Sequence, residues 1–313
     1  MNLDFPLISV VIPCYNVSAY VEKAVDSILN QTYKNLEIWI IDDASTDDTL
    51  AKIEGFKDDR IKIVKFKSNT KKVGAVNDVL KQVKGDYIAF QDADDWSEPT
   101  RIIKQFEEFN KDPNLGVCFT NYRYIGDKKG NAKNISLTDQ DLKNEFLNFN
   151  YFRDANSSPT NCPSMMISKM ALQKTSGYNP YFAGRIAEDI QWIYRILKDF
   201  AGITINVILY NYAVRKGSLI QMASHGINAK YSYSFQLLSK LIYKDVHEGI
   251  DLLAPANSEL LPKIELEACE QALVENIKLL NNTKLIYENS LSYKIGKLLL
   301  YPIHLFKRLT VKV

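Results

Sequence analysis

The chain of 313 residues is 46% hydrophobic and 24% charged, the balance of a soluble globular protein. A formal net charge of +2 supplies no whole-molecule field for nucleic acid. Four scattered cysteines (Cys14, Cys118, Cys162, Cys269) form no CxxC pair, which fits reduced thiols better than a disulfide framework or a zinc site. The length suits one large domain with an appendage, or two domains. The opening MNLDFPLISVVIPCYN has no basic region before its apolar run and reads as a first core strand, not a signal peptide. No apolar run approaches the roughly 20 residues that span a bilayer. The expectation is an intracellular protein with no membrane span.

In chain order, Ile8 to Ile12 is a β-branched run suited to a strand buried on both faces. Val21, Ala24, Val25, Ile28 and Leu29 then space out as the core-facing stripe of a helix. LEIWII (36 to 41) predicts a second strand, and the polar DDASTDDT supplies caps for a helix running toward Phe56. IKIVKF (61 to 66) predicts a third strand, and a helix around 75 to 83 leads to a fourth from Tyr87 to Phe90. Pro99 fits the first turn of a helix striped by Ile102, Ile103, Phe106 and Phe109. GVCFTNY (116 to 122) is the next strand. Residues 123 to 185 are less regular, with GDKKGNAKN as a loop or hairpin tip. AEDIQWIYRILKDF (187 to 200) predicts a helix, ITINVILYNYAVR a strand, and the pattern from about 225 is helical. Strands joined by helical crossovers predict an α/β fold with a mostly parallel sheet, flanked by helices, and a helical C-terminal extension.

Ligands of open α/β sheets bind beyond the carboxyl ends of the strands. Three strands deliver polar groups there: PCYN after the first, Asp42 and Asp43 after the second, and QDADD after the fourth. Asp92, Asp94 and Asp95 place three mutually repelling carboxylates within four residues. Clustered carboxylate oxygens suit Mg²⁺ or Mn²⁺, which keep positions open for substrate phosphates; the plainer reading is a solvated turn, with Asp95 as helix cap. An ionised Asp43 only accepts hydrogen bonds and suits an imide N3–H, as in uracil or thymine, or caps the following helix, as Ser45, Asp47 or Asp48 also could. Glu188 and Asp189 open a helix, where acids complement the macrodipole; the functional reading is a general base for an acceptor hydroxyl. No GxGxxG follows the first strand and no GxxxxGK[ST] occurs, which removes the usual dinucleotide and P-loop readings. The three histidines lie in the C-terminal third and no GxSxG elbow is present, so a Ser-His-Asp hydrolase lacks support.

The blocks ISVVIPCYNVSAYVEKAVDSILNQTYKNLEIWIIDDASTDDT, GDYIAFQDADDW and GYNPYFAGRIAEDIQWIYRI, in this order, closely resemble the family 2 glycosyltransferases, the large inverting GT-A (Rossmann-like) family. The resemblance covers residues 6 to 222. It implies that Asp43 contacts the nucleotide base, with Pro13, Tyr15 and Asn16 along the same edge. It implies that Asp92, Ala93 and Asp94 are the DXD motif. Asp94 would be the direct ligand of Mn²⁺ or Mg²⁺, and Asp92 would lie near the ribose or the metal. It implies that Asp189 is the catalytic base, with Glu188 beside it. RKGSLIQM (215 to 222) resembles the stretch that closes over the donor phosphates, with Arg215 or Lys216 where many relatives carry a histidine. By the same resemblance, residues 1–222 form the transferase domain, with a nucleotide half to about 122 and an acceptor half from 123, where NCPSMMISK and GYNPYFAGR are candidate linings. Residues 223–313 form a helical region.

The implied activity is transfer of a hexose or N-acetylhexosamine from a UDP-sugar to a saccharide or lipid-linked acceptor, in bacterial surface polysaccharide assembly (capsule, O-antigen or lipooligosaccharide). The alternative is a nucleotide-sugar-binding protein without turnover. The last segment, 291–313, carries Lys294, Lys297, Lys307, Arg308 and Lys312, no acid, and an apolar stripe interrupted by Pro302. That pattern suits either a cationic interfacial anchor or a docked terminal helix. The expected location is cytoplasmic, peripheral on the inner face of the membrane, with anionic lipid as a contact and no nucleic-acid partner.

Overall fold

The computed structural model describes residues 5–126, 136–147, 162–214 and 229–289. A β-branched run without polar interruption needs cover on both faces, and the first strands have it. In β1 (Ile8–Cys14), β2 (Leu36–Asp42) and β4 (Tyr87–Phe90), alternate side chains go to opposite sides. Val11, Trp39, Ile41, Ile88 and Phe90 enter one core. Val10, Ile12, Ile38, Ile40 and Ala89 enter the other. With β3 (Ile61–Lys65) these strands pair in parallel in the order β3-β2-β1-β4.

Beyond β4 the eight-stranded sheet continues β7-β6-β8-β5. Here β6 (Leu115–Ile125) and β8 (Ala201–Ala213) are parallel, while β7 (Met166–Ser168) is antiparallel to both β4 and β6. The short β5 (Trp96–Ser97) lies antiparallel on β8 at the edge. The expected α/β architecture with a mostly parallel sheet is therefore present, with two antiparallel insertions that the sequence reading did not include. Met165, Met166 and Ile167, expected to line an acceptor site, are buried in the middle of the sheet instead. Two neighbouring strands leave such a segment no free face.

The helices follow their apolar spacing. α1 (Val21–Leu29) buries Val21, Ala24, Val25 and Ile28, and α2 (Thr49–Gly55) follows β2. α3 (Lys71–Leu80) starts earlier than its apolar pattern because the Asn69 side chain accepts from the Lys71 N–H, an Asx-type turn that initiates it. α4 (Arg101–Phe109) begins after Pro99, whose carbonyl instead receives the Thr32 N–H. α5 (Asp139–Leu147) and α6 (Lys169–Thr175) fall in the stretch that looked irregular. α7 (Glu188–Asp199) packs Trp192, Ile193 and Ile196 into the same core as Leu237, Leu238 and Leu241 of α8 (Ala229–Glu248) and Ile264 and Ala268 of α9 (Leu261–Asn289). The first residue of α4, Arg101, is wholly buried. Its Nη1 reaches the Ser164 carbonyl and Gln105 Oε1, its guanidinium lies 5.8 Å from the centre of the Tyr210 ring, and burial lowers its pKa to about 10.

At the N-terminal end of the sheet, Glu37 is buried yet receives the Ser9 hydroxyl (2.5 Å), the Lys84 N–H (2.6 Å) and the Lys62 ammonium (2.5 Å). Burial disfavours its charge, but these donors outweigh that cost and hold its pKa down at about 2. A carboxyl with a depressed folded-state pKa contributes stability above its unfolded pKa, lost as pH falls through the folded value. Glu37→Gln is expected to cost on the order of 3 kcal/mol at pH 7. Chemical denaturation should show the deficit shrinking between about pH 4.5 and pH 2.

Candidate active site

The loops after β1, β2 and β3 run side by side at the carboxyl edge. The Asp43 N–H bonds the Cys14 carbonyl (3.0 Å) and the Phe66 N–H bonds the Asp42 carbonyl (2.9 Å). Asn16 ties the first two together: its N–H donates to Ser45 Oγ (3.1 Å) and its Oδ1 accepts the Thr46 N–H (2.8 Å). Asp43 is buried, and its Oδ1 accepts both the N–H (2.7 Å) and the hydroxyl (2.9 Å) of Thr70, at the mouth of α3. Asp43 does not cap α2: the N-cap position is Asp48, and the first helical N–H, of Thr49, is received by Asp47, which also accepts from Ser18. Pro13 is half-buried, and Tyr15 stands exposed on the rim.

The turn after β4 brings carboxylate oxygens of Asp92, Asp94 and Asp95 within 4.8 Å of one another. Ala93 is buried beneath them as the spacer. Asp95 is not a helix cap: it is buried, and its Oδ1 accepts the Ala213 N–H of β8 (2.8 Å). Its Oδ2 has no partner, and burial, with the Asp92 and Asp94 charges, pushes its pKa well above the usual carboxylate range. Asp92 is raised by burial too, with Lys72 opposing and the Asp94 and Asp189 charges adding to it. The same charges reach across β1, since burial and then Asp42, Asp94 and Asp92 keep Cys14 a thiol.

Glu188 and Asp189, from the start of α7, face this acidic turn across Lys72. The Lys72 ammonium lies 3.4 Å from Asp92 Oδ1. Burial works against its charge, but Asp92, Glu188 and Asp189 outweigh that and hold its pKa well above the ordinary lysine value. Glu188 is pushed up to about 7 by burial and by the Asp189 charge, with Lys72 opposing. Asp189 Oδ1 accepts the Ile190 N–H (2.8 Å). Thus Asp92, Asp94, Glu188 and Asp189, far apart in sequence, share one electrostatic site, while Asp43 joins it through Thr70, two residues before Lys72. Arg215 and the segment 215–222 lie outside the described residues, as do 127–134 and 291–313.

Sequence reasoning missed Lys72 and Tyr210. Tyr210 is wholly buried in β8, and its hydroxyl accepts from the Asp92 N–H (3.2 Å) and Gln91 Nε2 (3.1 Å), which fixes the backbone of the acidic turn. Backbone strain marks the same rim. Of the five non-glycine residues with positive φ among the described residues, Asn16, Ala44 and Lys71 follow the first three strands, and Ala187 precedes Glu188. The donor set of Asp92 and Asp94 is hard oxygen throughout and fits Mg²⁺ or Mn²⁺.

A parallel-sheet rim with clustered carboxylates and a nearby ammonium has the donor set to hold a divalent cation beside an anionic group. The sequence model of glycosyl transferase family 2 matches residues 9–176, and the chain belongs to that family. It is 29% identical over 276 residues to a chondroitin synthase of Escherichia coli, covering 87% of this chain and 37% of that one. It is 42% identical over 116 residues to the UDP-Glc:alpha-D-GlcNAc-diphosphoundecaprenol beta-1,3-glucosyltransferase WfaP of Escherichia coli, covering 37% of this chain and 46% of that one. The chain thus spans less than half the length of either relative. Among solved structures it is similar to S. aureus TarS 1–349 in complex with UDP-GlcNAc (TM-score 0.60, 18% identity, 77% of this chain and 67% of that one). It is also similar to the mannosyltransferase PcManGT of Pyrobaculum calidifontis in complex with GDP-Man and Mn²⁺ (TM-score 0.57, 19% identity, 94% and 84%). At these identities the structural likeness shows the GT-A fold.

Glu188 carries a second pH dependence, opposite in sign to that of Glu37. Its raised pKa means the folded state binds the extra proton between about pH 4.5 and pH 7, so stability falls as pH rises through that window. Glu188→Gln should stabilise the chain by on the order of 2 kcal/mol at pH 8 and by nothing measurable at pH 4 in thermal melts. Tyr210→Phe removes the acceptor from the Asp92 N–H, worth about 1 kcal/mol. Calorimetric titration with a nucleoside diphosphate and Mn²⁺ should show affinity weakened about fivefold.

Proposed function

We propose that the chain is an inverting glycosyltransferase that moves a hexose or N-acetylhexosamine from a UDP-sugar to a saccharide or lipid-linked acceptor in bacterial surface polysaccharide assembly. The observation that carries this reading is the meeting of Asp92 and Asp94 with Glu188 and Asp189 around Lys72. The names of the relatives, a chondroitin synthase and a diphosphoundecaprenol-directed glucosyltransferase, support the acceptor class and the setting. Residues 1–222 are read as the catalytic unit and 223–313 as its helical appendage.

In this reading Pro13, Tyr15, Asn16 and Asp43 line the base edge, and Asp43 receives the imide N–H through the carboxylate oxygen that Thr70 leaves open. Asp92 and Asp94 would hold Mn²⁺ or Mg²⁺, and the ion when bound would supply Lewis-acid stabilisation of negative charge on the diphosphate. Arg215 adds positive charge at the same diphosphate. Asp189 accepts the proton of the acceptor hydroxyl. That oxygen bonds the anomeric carbon as the bond to the UDP oxygen breaks on the opposite face, which inverts the configuration, and the electron pair leaves with UDP. Glu188 orients the acceptor beside Asp189, and Lys72 sets a positive charge among these acids and Asp92 of the acidic turn. No described helix is long and apolar enough to cross a membrane. The basic segment 291–313 is read as a peripheral contact with anionic lipid on the cytoplasmic face.

Asp189→Asn should abolish UDP release in the presence of acceptor while leaving donor affinity within about twofold, since one bond to the acceptor is lost and none to the donor. Retained turnover would exclude Asp189 as the base. Asp94→Ala should weaken Mn²⁺-dependent UDP binding at least about tenfold by calorimetry. Tight UDP binding by wild type without turnover on any acceptor would favour the non-catalytic binding protein.

A further inference from the structure

α9 carries two different faces. Ile264, Ala268, Ala272 and Asn276 repeat every four residues, are buried, and seat the helix against α8. Three of its acids belong to that packed side: Glu265 meets Tyr181 and Arg185, Glu267 meets Lys240, and Glu275 meets Gln236. A second stripe runs Leu266, Glu270, Leu273, Ile277, Leu280 and Lys284. Its steps alternate four and three residues, the spacing of a two-stranded coiled-coil seam. The apolar members are 61%, 59%, 48% and 51% exposed in that order, and Val274 beside them is 49% exposed. Glu270 and Lys284 carry no ion pair among the described residues. Four large aliphatic side chains aligned on one helix face form the contiguous exposed patch that marks an interaction site.

We propose that this stripe is the contact face of a homodimer, made by antiparallel pairing of α9 from two copies about an axis between Leu273 and Ile277. The charges on the stripe select both the partner and the direction. Parallel pairing would set Glu270 against Glu270 and Lys284 against Lys284, which is destabilising. Antiparallel pairing layers Leu273 on Ile277 of the partner subunit and brings each Glu270 within one turn of Lys284 of the partner subunit. The stripe is therefore complementary to itself. A lipid surface fits it poorly, because Glu270 interrupts the stripe between Leu266 and Leu273 and would enter the apolar layer unpaired. From Leu266 to Lys284 the helix rises about 27 Å. One such seam covers on the order of 1,000 Å², the low end for a specific interface, where association is weak and reversible. The dimer is independent of the donor, the acceptor and the chemistry proposed above.

Sedimentation velocity of the full chain without detergent, from about 1 to 200 µM to bracket weak association, reads the equilibrium directly. Wild type is expected to shift from monomer to dimer across that range. The double variant Leu273→Glu/Ile277→Glu is expected to stay monomeric, with unchanged circular dichroism and melting temperature because both positions are exposed. Glu270→Lys should weaken the dimer at least about fivefold, and the exchange Glu270→Lys/Lys284→Glu should restore it. Wild type that is monomeric throughout, or a dimer indifferent to these substitutions, overturns the proposal. So does flotation of wild type with phosphatidylglycerol vesicles that the Leu273→Glu/Ile277→Glu variant loses, which assigns the stripe to a bilayer. Dimerisation that appears only after residues 290–313 are removed also overturns it, and assigns the stripe to the chain's own C-terminal segment.

Discussion

The Lys72 ammonium is the interaction on which the rim depends. Asp92, Asp94, Asp95, Glu188 and Asp189 come together from two distant parts of the chain, and like charges at such range cost several kcal/mol in a partly dehydrated cleft. Lys72 contacts Asp92 and lies within electrostatic reach of Glu188 and Asp189. Its contact with Asp92 is long, at 3.4 Å, so it balances charge without locking the carboxylate in place. The carboxylate thus stays available to a divalent cation. Burial first, and then the neighbouring carboxylates, hold Asp92, Asp95 and Glu188 above their ordinary pKa values.

Much of the scaffold was legible from the chain because its signals are local. The β-branched runs at 8–12 and 36–41 have one physical use, a strand covered on both faces, and the stripe Val21, Ala24, Val25, Ile28 has one helical phase. The three residues of β7 were not legible: Met166, Ile167 and Ser168 show no alternation and owe their strand geometry to β4 and β6 on either side. In the site, the acids announced themselves by repelling one another in sequence, but their supports did not. Lys72 looks like any lysine in the first turn of a helix, and Tyr210 like any aromatic in an apolar strand. Their roles exist only after the fold has brought residues more than a hundred positions apart into contact, as with Tyr210 and Asp92.

Family membership and geometry answer different questions here. The family sequence model ends at residue 176, before Glu188, Asp189 and β8. The structure shows that the later segment is no accessory to the acidic turn. β8 holds it twice, through the Tyr210 hydroxyl at Asp92 and the Ala213 N–H at Asp95. Beneath that strand, Arg101 sets a buried guanidinium against the Tyr210 ring, so α4, β8 and the turn form one block. The strained residue Ala187 then orients the start of α7 toward it. Two halves that share supports in this way are fixed relative to each other, as the displacement proposed above would require.

The place of β7 also bears on how the chain reaches this state. During synthesis β4 emerges some 80 residues before the strand that will cover its outer edge, and β6 waits similarly for both neighbours. Until residues 166–168 slot in, the nascent protein carries the half-sheet β3-β2-β1-β4 and a separate β6 with unpaired backbone along their facing borders, the kind of border that templates association with other chains. Distant pairings of this sort place assembly of the sheet centre among the slower steps of folding. A three-residue wedge with no charged group thus joins the sheet, and the acidic turn gains its supports only when β8, made later still, pairs with β6.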